Sequence, residues 1–419
     1  MKKQTLLLFL LSGFLSFSAI AAPMEIRASR LREYLEERNY RVQSLRYLVG
    51  AAESREGYFG RSFFPRLEAH VGAEMFRHGA DSFKSDTSYA IDLSVNLYNG
   101  GQDRLEGQIR SALTERRRSE ATRISSDELG RARVSYWTTL YERERLEILK
   151  KSLAVNTENQ KAAERRIRSG VATESDRVEF EMKQVDLIRE QAAAEVKMRV
   201  EKQNLAVLLG IEHGTELVFP EVLSHEHEYE EELRHSADDH AFIYKETEIQ
   251  AQLSGLEAEK RKRALWPRLE AYASYAWVGE REVSRSLSQE DRQETAVGLR
   301  LSLPLAEGYE ALRESAAFQK EALAAEMTAR LMRKETEAHI HNELAELQLL
   351  HDQVHDAEKN IERAEKYYRL TQSEYQRGVK NSPDVLGASE KLFETRLKRL
   401  EMVRDFQLAK THVLAKLGR

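Results

Sequence analysis

The chain contains the same succession of motifs twice, and this tandem duplication limits the folds that it can adopt. The motif Phe64-Pro65-Arg66-Leu67-Glu68-Ala69 recurs 202 residues later as Trp266-Pro267-Arg268-Leu269-Glu270-Ala271. Two further motifs recur 208 residues later, so their order is kept and about six residues are inserted early in the second repeat. The structure of one repeat must therefore be predicted first and then applied to the second repeat. The other motif pairs are Arg168–Val171 with Gln376–Val379 and Leu208–Gly210 with Lys416–Gly418.

Residues 1–21 have the features of a secretory signal peptide. Lys2 and Lys3 form a basic start, an apolar run extends from Leu6 to Phe17, and Ala19-Ile20-Ala21 fits a small-x-small cleavage site. The apolar run is too short to anchor the chain in a membrane. The sequence has no cysteine, so it can form no disulfide and carry no lipid on an N-terminal cysteine. A secreted chain of this kind suits the bacterial cell envelope better than a small disulfide-bonded module.

The charges of the chain are dense and interspersed, with 65 basic and 70 acidic residues and a net charge of −5. This pattern, with only 6 prolines, favours long solvated helices over a nucleic-acid-binding surface. No phosphate-binding loop, HExxH zinc motif or GxSxG motif is present. His351 and His355 have a spacing that can bind metal, but the pattern supplies no third ligand. We therefore expect no enzyme, no catalytic residue, no metal and no cofactor.

Each repeat contains two segments in which apolar and polar residues alternate, which is typical of strands with one apolar face. Each segment is about ten residues long, the length of a tilted strand that crosses a bilayer. A half-buried hairpin on a soluble domain would alternate in the same way. Four strands cannot close a transmembrane barrel, so the chain must oligomerise if these strands span a membrane. The expected strands are about 66–76, 88–98, 268–278 and 294–305.

Long helical segments surround the hairpins. A helix over about 25–60 precedes the first hairpin and another over about 238–264 precedes the second. Each hairpin is followed by a helix long enough to reach roughly 100 Å, which must pack along other helices. These helices end at Gly170 and Gly378, and a return helix follows each glycine. The expected long helices are 103–169 and 309–377, the return helices are 174–209 and 383–417, and the repeats cover 22–215 and 238–419 around an acidic, histidine-containing linker at 216–237.

The doubled motifs, in this order over the whole mature chain, resemble those of the TolC-like outer-membrane efflux and secretion channels. The motifs that carry the resemblance are the two aromatic-Pro-Arg-Leu segments, Leu97-Tyr98-Asn99-Gly100-Gly101, and the segments Gly170–Asp176 and Gly378–Asp384. The resemblance implies a mainly α chain with a membrane β part. Three chains would each give four strands to a twelve-stranded β-barrel, which a long α-helical barrel would continue.

The resemblance also implies a function. The protein would be a passive outer-membrane exit duct with a large periplasmic part, serving a tripartite efflux pump or a type I secretion system of a Gram-negative bacterium. Its partners would be a periplasmic adaptor protein and an inner-membrane pump or ABC exporter, and its cargo small molecules or proteins. The alternative is a soluble periplasmic coiled-coil adaptor or scaffold protein, whose hairpins would stay in water.

Members of that family are gated at the periplasmic helix turns, which correspond here to the turns after Gly170 and Gly378. The resemblance assigns gate residues to Ser175 and Asp176 in the first repeat and to Tyr375 and Lys380 in the second. We expect charge pairs such as Lys380 with Asp176 to hold a closed state.

Asp384 matches the first acidic residue of the family's constriction ring, whereas Gly387 occupies the second acidic position. Asp176 and Asp384 also stand at helix starts, where capping and the helix dipole favour acids. The basic cluster Arg165, Arg166 and Arg168 is interpreted as a solvated helix face.

Overall fold

The computed structural model describes residues 23–76, 84–212, 214–225, 245–277, 293–304 and 308–418. The expected signal peptide and most of the expected linker lie outside these residues. In chain order the elements are β1 (Met24–Glu25), α1 (Leu31–Arg38), α2 (Tyr40–Glu53), α3 (Tyr58–Arg61), β2 (Arg66–Phe76), β3 (Lys84–Asn99), α4 (Gln102–Arg168), α5 (Glu174–Leu208), β4 (Leu217–Val218), α6 (Lys245–Arg263), β5 (Arg268–Trp277), β6 (Gln293–Ser302), α7 (Gly308–Gln376) and α8 (Ser382–Lys416).

The four long strands form one antiparallel sheet in the order β2-β3-β5-β6. Leu67 pairs with Leu93, and Leu269 pairs with Leu301, so the apolar residues of paired strands share one face of the sheet. The hairpins of the two repeats are neighbours because β3 pairs with β5, with a register shift between Asn96 and Tyr98. Strand β3 begins at Lys84, four residues before the expected start.

The helices that follow the hairpins are uninterrupted over 67 residues in α4 and 69 residues in α7. Neither helix contains proline, the residue that most strongly breaks a helix interior. The return helices α5 and α8 have 35 residues each. Within the described parts of the chain, no helix combines the length and the apolar character needed to cross a membrane.

The prediction of a single helix over about 25–60 is wrong. Residues Met24–Glu25 form a parallel pair with Leu217–Val218 instead, and the helical part is divided into α1, α2 and α3. Asn39 separates α1 from α2 because its backbone is extended, and its side-chain amide donates a hydrogen bond of 2.7 Å to the carbonyl of Leu208. Gly57, with φ of 71°, precedes α3 in the left-handed region, where glycine carries no steric penalty.

The chain divides into two compact units that do not coincide with the two repeats. The first unit comprises the chain up to Asn39 with Arg131–His225 and Asp352–Leu408, and the second comprises Tyr40–Gly130, Glu226–His351 and Ala409–Arg419. In the first unit, Leu149 of α4, Leu187 of α5 and Phe393 of α8 share a buried cluster. In the second, Ile109 of α4 packs with Ile249 of α6. Each unit therefore requires residues of both repeats.

Candidate functional site at the two helical turns

Both turns of the first unit are built in the same way around a glycine. At the first, Gly170 has φ of 74°, the amide of Val171 donates to the carbonyl of Arg166, and the amide of Gly170 donates to that of Ile167, each at 2.9 Å. At the second, Gly378 has φ of 84°, and the equivalent bonds measure 2.9 and 3.0 Å. This is the Schellman arrangement, which satisfies the last carbonyls of a helix. The repeated glycine therefore fixes where α4 and α7 end.

An acidic side chain begins each return helix. The Asp176 carboxylate accepts hydrogen bonds from the amide and the hydroxyl of Thr173, at 2.7 and 2.9 Å. In the second turn, the Asp384 carboxylate accepts from the amide of Asn381, while the Asn381 side-chain oxygen accepts from the amide of Asp384, both at 3.2 Å. Both acids thus satisfy amide donors that a helix start leaves free.

Asp176 is also joined to the second turn through Ser382. The Ser382 hydroxyl is close enough to the Asp176 carboxylate to help lower its pKa, and its oxygen lies 3.1 Å from the Tyr375 hydroxyl, at hydrogen-bond distance. Either hydroxyl can donate to the other, and the three polar groups form a relay from Tyr375 through Ser382 to Asp176. Ser382 and Tyr375 are 1% and 2% exposed, so this relay is shielded from water on one side and links α7, α8 and the start of α5.

Two opposing effects act on the pKa of Asp176. Partial burial disfavours the charged carboxylate and raises its pKa. The hydrogen bonds from Thr173 and Ser382, together with the positive charge of Arg166, favour the carboxylate and prevail, so the pKa lies below its ordinary value of 3.8. Asp176 is therefore ionised at neutral pH and acts as the fixed acceptor of the relay.

Arg166 connects the end of α4 to the second turn. One guanidinium nitrogen donates to the carbonyl oxygens of Tyr375 and Lys380, at 2.8 and 3.2 Å. The guanidinium carbon lies 4.2 Å from the centre of the Tyr375 ring, a distance at which a cation is attracted to an aromatic face. The interpretation of Arg166 as part of a solvated helix face is therefore wrong. We name Arg166, Thr173, Asp176, Tyr375 and Ser382 the tip cluster.

The sequence-derived candidates divide into two groups. Asp176 and Tyr375 are joined through Ser382, whereas Lys380 pairs with Asp384, 3.7 Å away on its own turn. Within the described residues Lys380 therefore pairs with Asp384 and not with Asp176. Both partners of this pair are partly exposed, and such pairs contribute only about 0–1 kcal/mol. Ser175 lies exposed on the first turn of α5, and Gly387 is exposed on α8 with open space where a side chain would be.

Three members of the tip cluster, namely Arg166, Thr173 and Ser382, were not among the sequence-derived candidates. Thr173 and Ser382 stand at the starts of the return helices, where capping alone explains a threonine or a serine. No sequence signal separates Arg166 from its neighbours Arg165 and Arg168, because all three belong to one basic run at a helix end. The equivalent position in the second repeat is Glu374, so the two turns are not interchangeable although their backbones match.

The tip cluster contains hydrogen-bond donors, acceptors and one ring contact, and it has no nucleophile paired with a general base. Its arrangement fits a mechanical connection between helix ends better than chemistry on a substrate. Elsewhere in the described parts of the chain, no group of three or more histidine, aspartate or glutamate side chains is arranged to hold a metal ion.

Comparison with known proteins agrees with the fold. Residues 245–419 match the sequence profile of the outer membrane efflux protein family, and no curated protein matches the chain in sequence. The CusC channel has a TM-score of 0.79 at 12% identity, over 93% of this chain and 91% of its own. VceC of Vibrio cholerae has a TM-score of 0.75 at 15% identity, over 93% and 96%. The open state of the MtrE outer membrane channel of Neisseria gonorrhoeae has a TM-score of 0.69 at 14% identity, over 94% and 89%.

These solved structures share their fold with the chain over nearly its whole length. Together with the family match, they confirm the resemblance to TolC-like outer-membrane channels that the duplicated motifs indicated. The mainly α fold with a smaller β part is confirmed with it.

Proposed function

We propose, on the premise that residues 245–419 belong to the outer membrane efflux protein family, that this protein is a passive exit duct of the outer membrane. The sheet would lie in the bilayer and the helices would extend into the periplasm of a Gram-negative cell. An inner-membrane pump or ABC exporter would supply the energy, and a periplasmic adaptor would join it to the duct. The cargo class, small molecule or protein, is set by those partners in this proposal.

The observation that carries this proposal is the bare apolar face of the sheet. Leu67, Val71 and Met75 of β2 are 70–73% exposed, and Val297 and Leu299 of β6 are 81% and 69% exposed. Monomeric soluble proteins rarely expose a contiguous apolar patch of this extent. Alternating strands with one apolar face are what a lipid-facing barrel wall requires.

The edges of the sheet support a closed ring of subunits. Strands β2 and β6 are its two outer strands, and their unpaired backbone groups cannot remain unsatisfied in lipid. Pairing β6 of one subunit with β2 of the next satisfies them. Three subunits of four strands would give a closed barrel of twelve, which is above the minimum of about eight.

The first compact unit offers a second surface for the same assembly. One face of α5 carries an apolar stripe whose members are 43–73% exposed and recur at helical spacing. Helices α7 and α8 form a groove of about 720 Å³ whose apolar lining residues are Ala357, Ala364, Tyr367 and Met402, beside charged residues that include Arg363, Lys391, Glu394 and Lys398. We assign the groove to the stripe of a neighbouring subunit. The stripe consists of Val178, Met182, Val185, Val196, Val200 and Val207.

The tip cluster would be the gate of this duct. Its bonds join the turn of α4 and α5 to the turn of α7 and α8, so both turns stay together while the bonds last. The half-exposed Lys380–Asp384 pair is weak, and Asp384 would form one acidic ring around a threefold axis, as in cation pores. A partner that separates the turns would open the duct by breaking the contacts of the tip cluster, in which Tyr375 and Ser382 are buried.

Membrane fractionation, followed by mass determination of the intact protein in detergent, tests the duct. The expected result is an outer-membrane protein with three times the mass of the mature chain. A periplasmic protein that is soluble without detergent as a monomer or dimer would overturn the proposal and favour the coiled-coil scaffold. Ion conductance of the trimer in a planar bilayer then tests whether it forms a pore.

A further inference from the structure

A basic and aromatic motif stands at the base of each hairpin, and the duct function alone does not account for it. Arg61 is followed by Phe64-Pro65-Arg66, and Arg263 is followed with the same spacing by Trp266-Pro267-Arg268. In each repeat the second arginine is the first residue of a strand. The proline before it fits a strand start, because a proline there removes no ladder hydrogen bond.

The aromatic side chains of the motif are exposed, and Trp266 also packs against the backbone at Gly100. Phe64 and Trp266 are both exposed large apolar residues. A Cβ atom added to Gly100 would lie only 2.9 Å from the Cβ of Trp266, so Trp266 packs closely on the backbone that leads from β3 into α4. The guanidinium of Arg263 lies 5.6 Å from the centre of the Trp266 ring, within the range of a cation–π contact.

A further aromatic residue beside a cation lies at the start of α7, which follows β6. Tyr309 is exposed, and the guanidinium of Arg313 lies 5.3 Å from the centre of its ring. All three aromatic residues, Phe64, Trp266 and Tyr309, therefore stand where strands meet helices. Phe64 and Trp266 each lie three residues before an apolar strand residue, Leu67 and Leu269.

Some of the basic residues near the strand ends are explained by the end of helix α6 and by ion pairs. Residues 260–263 end helix α6, where cations interact favourably with the helix dipole. Lys260 is bonded to Glu106 at 2.6 Å, Arg261 is paired with Glu314 at 3.3 Å, and Arg263 is paired with Glu259 at 3.0 Å. Lys262 is exposed beside them.

Arg66 and Arg268, which begin strands, are also exposed. Neither lies in the last turn of a helix, so the helix dipole does not explain them. Exposed cations next to exposed rings, at the end of an apolar face, are the composition found where a protein meets the headgroup layer of a membrane.

We propose that this region, the basic belt, binds the phosphate groups of anionic glycerophospholipids in the leaflet that faces the periplasm. The belt consists of the rings Phe64, Trp266 and Tyr309 and the exposed cations Arg66, Lys262, Arg268 and Arg313. The rings would lie among the glycerol and ester groups, and the cations would contact the phosphates. The inference rests on the proposed duct function, because it requires the sheet to lie in a bilayer.

The test uses the purified full-length protein in detergent, titrated with phosphatidylglycerol or phosphatidylcholine and observed by native mass spectrometry. A triple variant, Arg66→Gln with Lys262→Gln and Arg268→Gln, removes three cations of the belt. The matched control removes three exposed cations of the helices, Lys197→Gln with Arg199→Gln and Lys334→Gln. Phosphatidylglycerol binding should weaken about five-fold per cation removed from the belt, the factor for one basic side chain at an anionic surface, and should be unchanged in the control.

A second readout locates the lipid. In a chain with Trp137→Phe and Trp277→Phe, Trp266 is the remaining tryptophan of the three, and brominated phosphatidylglycerol should quench its fluorescence. A chain that keeps Trp137 alone should not be quenched, because that residue lies 35 residues along helix α4 from its start at Gln102, roughly 50 Å along the helix axis.

The outcomes separate the two proposals. A wild-type chain that never enters a membrane fraction overturns the duct function and the belt together. A trimer that inserts but does not prefer phosphatidylglycerol, or loses as much binding in the control as in the belt variant, overturns the belt alone. Competition by inorganic phosphate at the same phosphate concentration would also overturn it, because it would identify a free-anion site. The trimer mass of both triple variants verifies that they fold.

Discussion

At the scale of single residues, the Arg166 side chain contacts one ring and two carbonyl oxygens of the other turn. Its planar guanidinium can do both at once, which the ammonium of a lysine cannot. The carbonyl of Tyr375 belongs to the end of α7, where the helix dipole is negative. Arg166 therefore satisfies a helix end and connects the two turns in one interaction.

We expect Arg166→Gln to loosen the tip cluster. Hydrogen bonds to a charged group contribute about 1.5–3 kcal/mol, so the ratio of closed to open channels should fall by roughly 10- to 100-fold. Single-channel recording in planar bilayers measures this ratio. Arg165→Gln serves as the control, because Arg165 is exposed at the same helix end. An equal ratio of closed to open channels in the two variants would show that Arg166 does not hold the gate.

The lowered pKa of Asp176 predicts acid sensitivity of the tip. A carboxylate whose pKa is lower in the folded state stabilises it fully above the ordinary value of 3.8, and this contribution disappears as the pH falls through the folded-state pKa. Asp176→Asn should therefore lower the melting temperature at pH 7, and the difference from the wild type should shrink as the pH falls below 3.8. Thermal unfolding from pH 2 to 7 tests this. A difference between the two proteins that is independent of pH would contradict it.

The sequence predicted only part of the tip cluster. Asp176 and Tyr375 were identified through the family resemblance and are indeed joined in space, and their gating role stays a proposal. Ser382 was missed because a serine at a helix start is fully explained by capping, and its burial arises only when α5 packs beside the second turn. Arg166 was missed because a helical pattern does not reveal which of several adjacent arginines faces a distant ring.

At the scale of elements, the two turns depend on glycine for backbone reasons alone. Gly378 has φ of 84°, and nothing lies within 4 Å of the position that a Cβ would occupy. A side chain there meets no neighbour, so any loss of stability must come from the left-handed backbone.

We expect Gly378→Ala to destabilise the protein by about 1–2 kcal/mol. Gly50→Ala is the matched control, since Gly50 also has open space around it but lies inside helix α2. That change should stabilise the protein by about 0.5–1 kcal/mol. Chemical denaturation of both variants gives the two free energies of unfolding, and changes of the same sign would contradict the argument.

The long elements were predictable because each carries a pattern that its own residues determine. Period-two alternation predicted β2 and β5, and the absence of proline predicted α4 and α7. The first helix was predicted wrongly because its breaks depend on distant partners. Met24–Glu25 pairs with β4, and the Asn39 side chain donates a hydrogen bond to the carbonyl of Leu208. Local propensity cannot identify a partner some 170 residues away.

At the scale of the whole molecule, the apolar stripe of α5 predicts the assembly. Val185 lies in the middle of the stripe and is 66% exposed, so its replacement leaves the subunit core intact. Val185→Glu would place a charged side chain among apolar contacts at each of three interfaces, and the burial of a charge is costly. We expect this variant to lose the trimer while the subunit stays folded.

Lys197→Glu is the control, because Lys197 is exposed on the same helix outside the stripe. Native mass spectrometry and circular dichroism in detergent distinguish the outcomes. A trimeric Val185→Glu variant would show that the stripe faces something other than a neighbouring subunit.

The division of each repeat between two compact units has a consequence for biogenesis. The first unit is completed only by Asp352–Leu408, and the second only by Ala409–Arg419. An exported chain emerges with its N-terminus first, so the first repeat must wait in the periplasm without its final packing partners. During that interval its apolar helix faces and strand edges are open to aggregation. Such a chain would depend on holdase chaperones during translocation more strongly than a protein whose domains follow one another along the sequence.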